Sequence, residues 1–373
     1  MTDYEKHIEF LASVATPHDL SEDIINEQFR LLLSILPNNG KLYKYRSLVG
    51  DSFENTYNSL EKRYMWIGKA SELNDDADSL FVGDPIQAVY KAVDYLYADK
   101  ARLIYTLFKK CGIQMFQSCD ELKNLPLEEM FRCFDATTKE LDEKKAAQLL
   151  LTYCGGDTSL AINYTQYIRE IVVKILDELH MMLHQSIDNF CNFNHRMRQE
   201  LHVFSMSESY DLSNLWAYYA DAGKGFCIEY DYRRAEGFDS DLKWKLLNTQ
   251  KIEYSDAPFE LDFGCLLEKA FFDNVSVTSM LPFTKSVMKQ ALRKETCWEH
   301  EREWRITLGN TPDMVPIDIV SGIIIDERSI HSANAQRLIR LCADRKWGVK
   351  VRRCNVFQTA HSYEDYIISE VNQ

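Results

Sequence analysis

The strongest constraint on this chain is a change of texture that occurs twice along it. Residues 41–83 run in short, strand-like alternations. From Asp84-Pro85 to about residue 199, apolar positions such as Ile86, Val89, Tyr90, Val93 and Tyr97 recur at the three- and four-residue spacing of a helix. From residue 200 the strand texture returns. An Asp-Pro pair is a good helix start, because aspartate caps free N–H groups and proline's missing donor is harmless in the first turn. A strand pattern that is left and then resumed implies a discontinuous domain. The expected fold is α+β, a mixed or antiparallel sheet core with flanking helices and a large helical insertion. N-terminal helices would occupy 1–40, the core 41–83 and 200–373, and the insertion 84–199.

Within the core, alternation suggests strands at 41–46, 64–68, 202–207, 225–230, 304–308, 319–325 and 349–356. Helices are expected over 52–63, 212–220, 283–296 and 329–345. The 373 residues are 46% hydrophobic, ample for an interior of this size. No run approaches the roughly 18 apolar residues of a membrane span, and the N-terminus lacks an apolar leader, so a cytoplasmic protein with no membrane partner is expected. The ten cysteines include no Cys-x-x-Cys pair, which suits reduced packing thiols and gives no support for a metal site. A net charge of −14 opposes a general nucleic-acid coat, so any anion would be met by a local pocket.

The segment richest in chemistry is Trp298-Glu299-His300-Glu301-Arg302-Glu303-Trp304-Arg305-Ile306. On a strand, Trp304 and Ile306 would face the core and Glu301, Glu303 and Arg305 the opposite side. Two carboxylates beside a guanidinium suit a sugar cation or a ribose hydroxyl; the plainer reading is a solvated face with ion pairs. In Val203-Phe204-Ser205-Met206-Ser207, the two serines share a face and would border a cleft, or simply end an edge strand. In Tyr43-Lys44-Tyr45-Arg46-Ser47, Lys44 and Arg46 oppose Tyr43 and Tyr45, and the arginine fork suits a phosphate. The aromatic run Leu215-Trp216-Ala217-Tyr218-Tyr219 is read as a helix packed on the sheet and ended by Gly223, ahead of a Gly-Lys-Gly turn that is no Walker loop. His180 and His184 lie one helical turn apart without a third ligand. Asn74 to Asp78 resembles an incomplete calcium loop. Lys285, Lys289 and Arg293 would form a basic stripe on one helix.

Taken in order, Leu-Tyr-Lys-Tyr-Arg-Ser at 42–47, Ser-Glu-Leu-Asn-Asp at 71–75, Phe-Ser-Met-Ser-Glu at 204–208, Leu-Trp-Ala-Tyr-Tyr-Ala with Gly-Lys-Gly-Phe at 215–226, and Trp-x-x-Glu-x-Glu-Trp-Arg at 298–305 resemble a widespread bacterial family known only as a domain of unknown function. The chain departs from that pattern at Asp76-Ala77 and at Ile67-Gly68, and its insert is longer. The same order also resembles the three-part layout of ADP-ribosyltransferases. That resemblance implies NAD as a substrate, with no metal. Arg46 would grip the dinucleotide beside Tyr43, Ser205 or Ser207 would hold the nicotinamide ribose, Glu303 would be the catalytic glutamate, Glu301 would face the acceptor, and Arg305 would be a second cation for the pyrophosphate.

The leading functional expectation is therefore an NAD-consuming enzyme, an ADP-ribosyltransferase or NAD glycohydrolase. In a bacterial setting it would act as a toxin or phage-defence effector. Its partner would be a nucleotide-type small molecule, with a protein or nucleic-acid acceptor and an open oligomeric state. The alternatives are a non-catalytic nucleotide- or partner-binding module, and a metal-dependent nuclease-type effector built on Glu301, Glu303 and Asp75.

Overall fold

A computed structural model of the chain describes residues 1–14, 20–73, 85–110, 117–123, 132–135, 140–166, 198–257, 292–309, 314–355 and 360–366. It also describes single positions at 129, 169, 181, 188, 192 and 272. The chain divides into two compact units. One comprises Met1–Leu80, Arg196–Pro258 and Pro282–Gln373, and the other Phe81–His195 and Phe259–Leu281.

The first unit is α+β, as its sequence texture implies. Its sheet is built from β1 (Lys41–Arg46), β2 (Gly68–Lys69), β3 (Leu201–Ser207), β4 (Phe226–Asp231), β5 (Thr249–Lys251), β6 (Glu303–Gly309), β7 (Val320–Asp326), β8 (Gly348–Asn355) and β9 (Ala360–Asp365). The order is β9-β8-β7-β4-β1-β3-β6-β5, with β2 also paired to β3. Only β7 and β8 are parallel, so the sheet is mixed and mostly antiparallel. The β7–β8 crossover runs through the helix Ala333–Arg345, since parallel neighbours need a long connection.

Two short strands and a helix were not evident from periodicity. Thr249–Lys251 and Ala360–Asp365 are edge strands, and Ser240–Leu247 is helical. The expected strand over 64–68 is instead two fragments, Met65–Trp66 and Gly68–Lys69, paired to different partners. The expected helix over 283–296 is corrected at its end. Arg293–Lys294 lies parallel to Glu253–Tyr254, and Thr296–Glu301 is a 3-10 turn.

The longer helices described in this unit are α1 (Asp3–Ser13), α2 (Glu22–Ile35), α3 (Gly50–Glu61), α4 (Ser213–Tyr219), α5 (Ser240–Leu247) and α6 (Ala333–Arg345). Thr2, Ser21, Asp239 and Ser332 cap α1, α2, α5 and α6 by accepting a free N–H, as short polar side chains at that position do. The sheet faces differ in what covers them. One face packs Phe204, Met206, Trp304, Ile306, Phe226 and Ile323 against α2, α3, α5 and α6. The other is covered in part by α4, where Trp216 packs edge-on to Tyr45 at 5.5 Å between ring centres. Strand alternation explains the division: Trp304 and Ile306 enter the large core while Glu303 and Arg305 point away from it.

The sheet is not closed along its middle. β1 pairs with β4 over its whole length but registers with β3 at Tyr43–Ser207 alone. Farther along the same edge of β3, Val203 and His202 pair with β2. Between these points β1 and β3 part. The Lys44 ammonium fills part of the interval, donating to the Ser205 carbonyl at 2.5 Å and lying 4.2 Å over the Phe204 ring. A strand edge left open inside a sheet must find other hydrogen-bond partners, and lysine supplies one.

In the second unit the described elements include helices Pro85–Ala98, Lys100–Lys110, Cys119–Lys123 and Glu143–Tyr153, with a small antiparallel pair of Phe134–Asp135 and Glu140–Leu141 between the last two in sequence. Leu103, Leu107, Leu122 and Leu150 are among its buried residues. His180 and His184 lie outside the described residues, as do Lys285, Lys289 and Asn74 to Asp78. No helix among the described residues is long and apolar enough to cross a membrane.

One glycine lets the chain enter β4 against the end of β1. At Gly225, which leads from α4 into β4, a Cβ would meet the Arg46 carbonyl oxygen and stand 2.7 Å from Ala220 Cα. Both obstacles are backbone and cannot rotate away. Gly225→Ala should therefore cost about 1–3 kcal/mol, the usual penalty for overpacking, read as a lower urea midpoint. An unchanged midpoint would mean that β1 is not held as described.

Candidate active site

All seven residues singled out from the sequence line one cavity of about 270 Å³: Tyr43, Arg46, Ser205, Ser207, Glu301, Glu303 and Arg305. They arrive there from both sides of the sheet. Ser205, Ser207, Glu303 and Arg305 share a face through the β3–β6 register, Ser207 opposite Glu303 and Ser205 opposite Arg305. Arg46 and Lys44 belong to the other face by alternation and reach the cavity because β1 and β3 part beside them.

The floor is a buried charge network. Arg305, only 1% exposed, donates to both carboxylate oxygens of Glu303, Nε to Oε1 at 2.6 Å and Nη2 to Oε2 at 3.1 Å. Lys294 Nζ donates to Glu301 Oε2 at 2.6 Å and to Glu303 Oε2 at 3.3 Å, and its ammonium lies 4.8 Å from the centre of the Trp298 ring. Tyr219 Oη donates to Glu301 Oε1 at 2.8 Å. The backbone N–H of Glu303 donates to Tyr254 Oη at 2.8 Å. Every charge in this network has an opposite charge in contact, as burial demands.

Glu301 reaches the site differently from the way its spacing implied. It is not on the strand. It ends the 3-10 turn, and Arg302, with φ 47°, turns the backbone through the left-handed region before β6 starts at Glu303. Ser207 Oγ donates to the Glu301 carbonyl at 2.7 Å and holds this corner. That separates the two serines. Ser207 is committed to backbone, while Ser205 makes a side-chain hydrogen bond with the Glu303 carboxylate. Tyr43 contributes its ring, since its hydroxyl reaches toward Glu229 at 3.5 Å.

Electrostatics follow from this geometry. Burial presses Glu303 toward the neutral acid, but the Arg305 and Lys294 cations and hydrogen bonds from Arg305 and Ser205 outweigh it, holding the carboxyl at about 2. Burial also opposes the Lys294 charge, yet Glu303 and Glu301 prevail and raise its pKa. Lys44 is the reverse case: burial and the neighbouring Arg46 depress it well below the ordinary amine, against the pull of Glu303. Burial lowers Arg46 as well, and its Nε has no hydrogen-bond partner among the described residues.

Lys44, Lys294, Tyr219 and Trp298 were not assigned to the site from sequence. The reading of 283–296 as one helix hid Lys294, which actually follows the short strand onto the network. Tyr219 packs with Trp216 against the Tyr45 cluster, as the aromatic run implies, and its hydroxyl in addition donates to Glu301. Among the described residues no group of three or more His, Cys, Asp or Glu side chains converges as metal ligands.

Comparison with known families finds one match. Residues 215–306 match the family described as a protein of unknown function, DUF2971. That span runs from within α4 to the middle of β6 and bears out the resemblance to a domain-of-unknown-function family drawn from the ordered motifs. No curated protein and no solved structure matches the chain.

The network sets a pH dependence. A carboxyl depressed from 4.5 to about 2 in the folded state contributes stability above its unfolded pKa and loses it as pH falls through the folded one. Stability should fall by something on the order of 3 kcal/mol between pH 5 and pH 2 from this group. Lys294→Met leaves two facing carboxylates without their shared cation. It should lose about 3–5 kcal/mol at pH 7 and move the acid limb to higher pH in urea titrations. Superimposable profiles for the two proteins would contradict the network.

Proposed function

We propose that this cavity binds the nicotinamide-ribose part of NAD and breaks its N-glycosidic bond, with water or an acceptor taking the ADP-ribosyl group. The observation that carries the reading is the meeting of Arg46, Ser205 and Glu303 on one concave surface, with Glu303 held ionised at its floor. These are the three positions that the resemblance to ADP-ribosyltransferases assigns to phosphate, ribose and catalysis.

The chemistry follows from charge. As the C1′–N bond breaks, its electron pair leaves with nicotinamide and neutralises the pyridinium, while the sugar gains oxocarbenium character. A fixed carboxylate stabilises that cation directly or through a ribose hydroxyl, and it acts strongly because water is excluded from the floor. Ser205, already bonded to Glu303, is placed to orient the ribose. Arg46, with an unsatisfied buried Nε, is suited to the charged phosphate beyond it. In this reading Glu301, which accepts from Tyr219 and Lys294, would take the proton of the attacking water or acceptor. Tyr43 and Trp298 supply aromatic wall.

A second reading has its own support. Both oxygens of Glu303 are already engaged by Arg305 and Lys294, which suits a pocket that binds a nucleotide without turning it over. The nuclease-type reading has less support, because the Lys294 ammonium stands between Glu301 and Glu303 where a divalent ion would bridge them.

The test is incubation with NAD while nicotinamide release is followed. Wild type should release it, and Glu303→Gln should be slowed at least about 100-fold, the usual cost of removing one preorganised charge-stabilising group. Ligand-dependent thermal stabilisation by NAD with no release would favour the binding module. Equal release by the two proteins would remove Glu303 from the chemistry.

A further inference from the structure

The first cavity opens next to a second, larger one of about 490 Å³, and the two share Arg46 and Glu72. The second lies over α3. Ser52, Asn55, Asn58 and Lys62 from that segment line it, together with Trp66 and Met314. Trp66 and Met314 are directly paired strand residues, and both are large, apolar and about half exposed, at 46% and 49%. A half-exposed tryptophan in one cavity with amides and hydroxyls is the pattern of a surface that stacks a ring and hydrogen-bonds its edge.

Arg46 stands where the two cavities meet. Its Nε is buried without a hydrogen-bond partner among the described residues, and the side chain makes no ion pair among them either. A half-buried guanidinium whose Nε lacks a partner is an incomplete arrangement, and a phosphate completes it bidentately. The dimensions agree. A volume near 270 Å³ is at the small end of ligand pockets, which run from about 300 to 1,000 Å³, and suits a ring and one sugar better than a whole dinucleotide.

From the two cavities and the arginine between them, we infer that the ligand is a dinucleotide bound across both. Its nicotinamide-ribose would sit over Glu303, its pyrophosphate at Arg46, and its second nucleoside in the α3–Trp66 cavity with the base on Trp66. The inference deepens the reading of the first cavity and rests on it for the identity of the first half. The second cavity makes the pyrophosphate-linked class the substrate and makes a mononucleotide a poor one. Lys62, at the end of α3, adds a second cation for the far phosphate.

The experiment compares NAD with nicotinamide mononucleotide by calorimetry and by nicotinamide release, in wild type, Trp66→Ala and Lys62→Ala. Trp66 is half exposed, so its replacement should leave the fold intact, which the circular dichroism spectrum and melting temperature check. Wild type should bind NAD more tightly than the mononucleotide. Trp66→Ala should lose about tenfold or more for NAD, the usual value of one stacked base, and keep mononucleotide affinity within about twofold. Nicotinamide release with equal affinity for the two ligands, or an unchanged NAD affinity in Trp66→Ala, would overturn the second subsite and leave the first reading standing. Trp66-dependent NAD binding without nicotinamide release would support the subsite and overturn the catalytic reading. Absence of any binding would overturn both.

Discussion

Burial of the Glu303 charge is the constraint on which the site depends. A carboxylate only 4% exposed is tolerable because Arg305, two residues along the same strand, clamps both its oxygens and Lys294 approaches from another element. That requirement ties together parts of the chain far apart in sequence. Lys294 must lie beside Tyr254, the 3-10 turn must deliver Glu301, and Arg302 must adopt a left-handed backbone so that β6 can begin on the next residue. The network would be an expensive way to obtain stability alone, since apolar side chains of the same volume commonly serve as well. It holds a fixed pattern of charge at the bottom of a cavity.

The second organising fact is the parting of β1 and β3. A closed sheet would keep Arg46 and Lys44 on one side and Ser205 and Glu303 on the other. Because the strands register at one pair only, side chains from opposite faces meet in one cavity. The parting is stabilised locally. Lys44 satisfies the Ser205 carbonyl, β2 takes up the far end of the β3 edge, and Gly225 lets the chain pass against the end of β1.

Much of this was legible in the sequence where the signal is local. Period-2 alternation placed β1, β3 and β6 and the outward face carrying Ser205, Glu303 and Arg305, because each strand buries one face against helices. The motif order identified the family likeness that the match over 215–306 bears out. What periodicity could not supply was the long-range pairing. Arg293–Lys294 is a two-residue strand held by its partner at Glu253–Tyr254, and nothing in its own composition marks it. The same limit hid the role of Lys294 and Tyr219, and it made Glu301 look like a strand residue when the turn places it. The meeting of Arg46 with Ser205 is likewise a property of the sheet's topology, not of either strand.

The charge of −14 opposes a general polyanion-binding surface and leaves anions to a local pocket. Lys44, Arg46, Lys294 and Arg305 now gather on one cavity against Glu72, Glu301 and Glu303, so the local balance differs from the global one. The most direct measurement of the central claim is a crystal structure of the Glu303→Gln protein soaked with NAD. The account predicts density for the ribose against Ser205 and position 303 and for the pyrophosphate at Arg46. NAD bound on another surface with this cavity empty would contradict it.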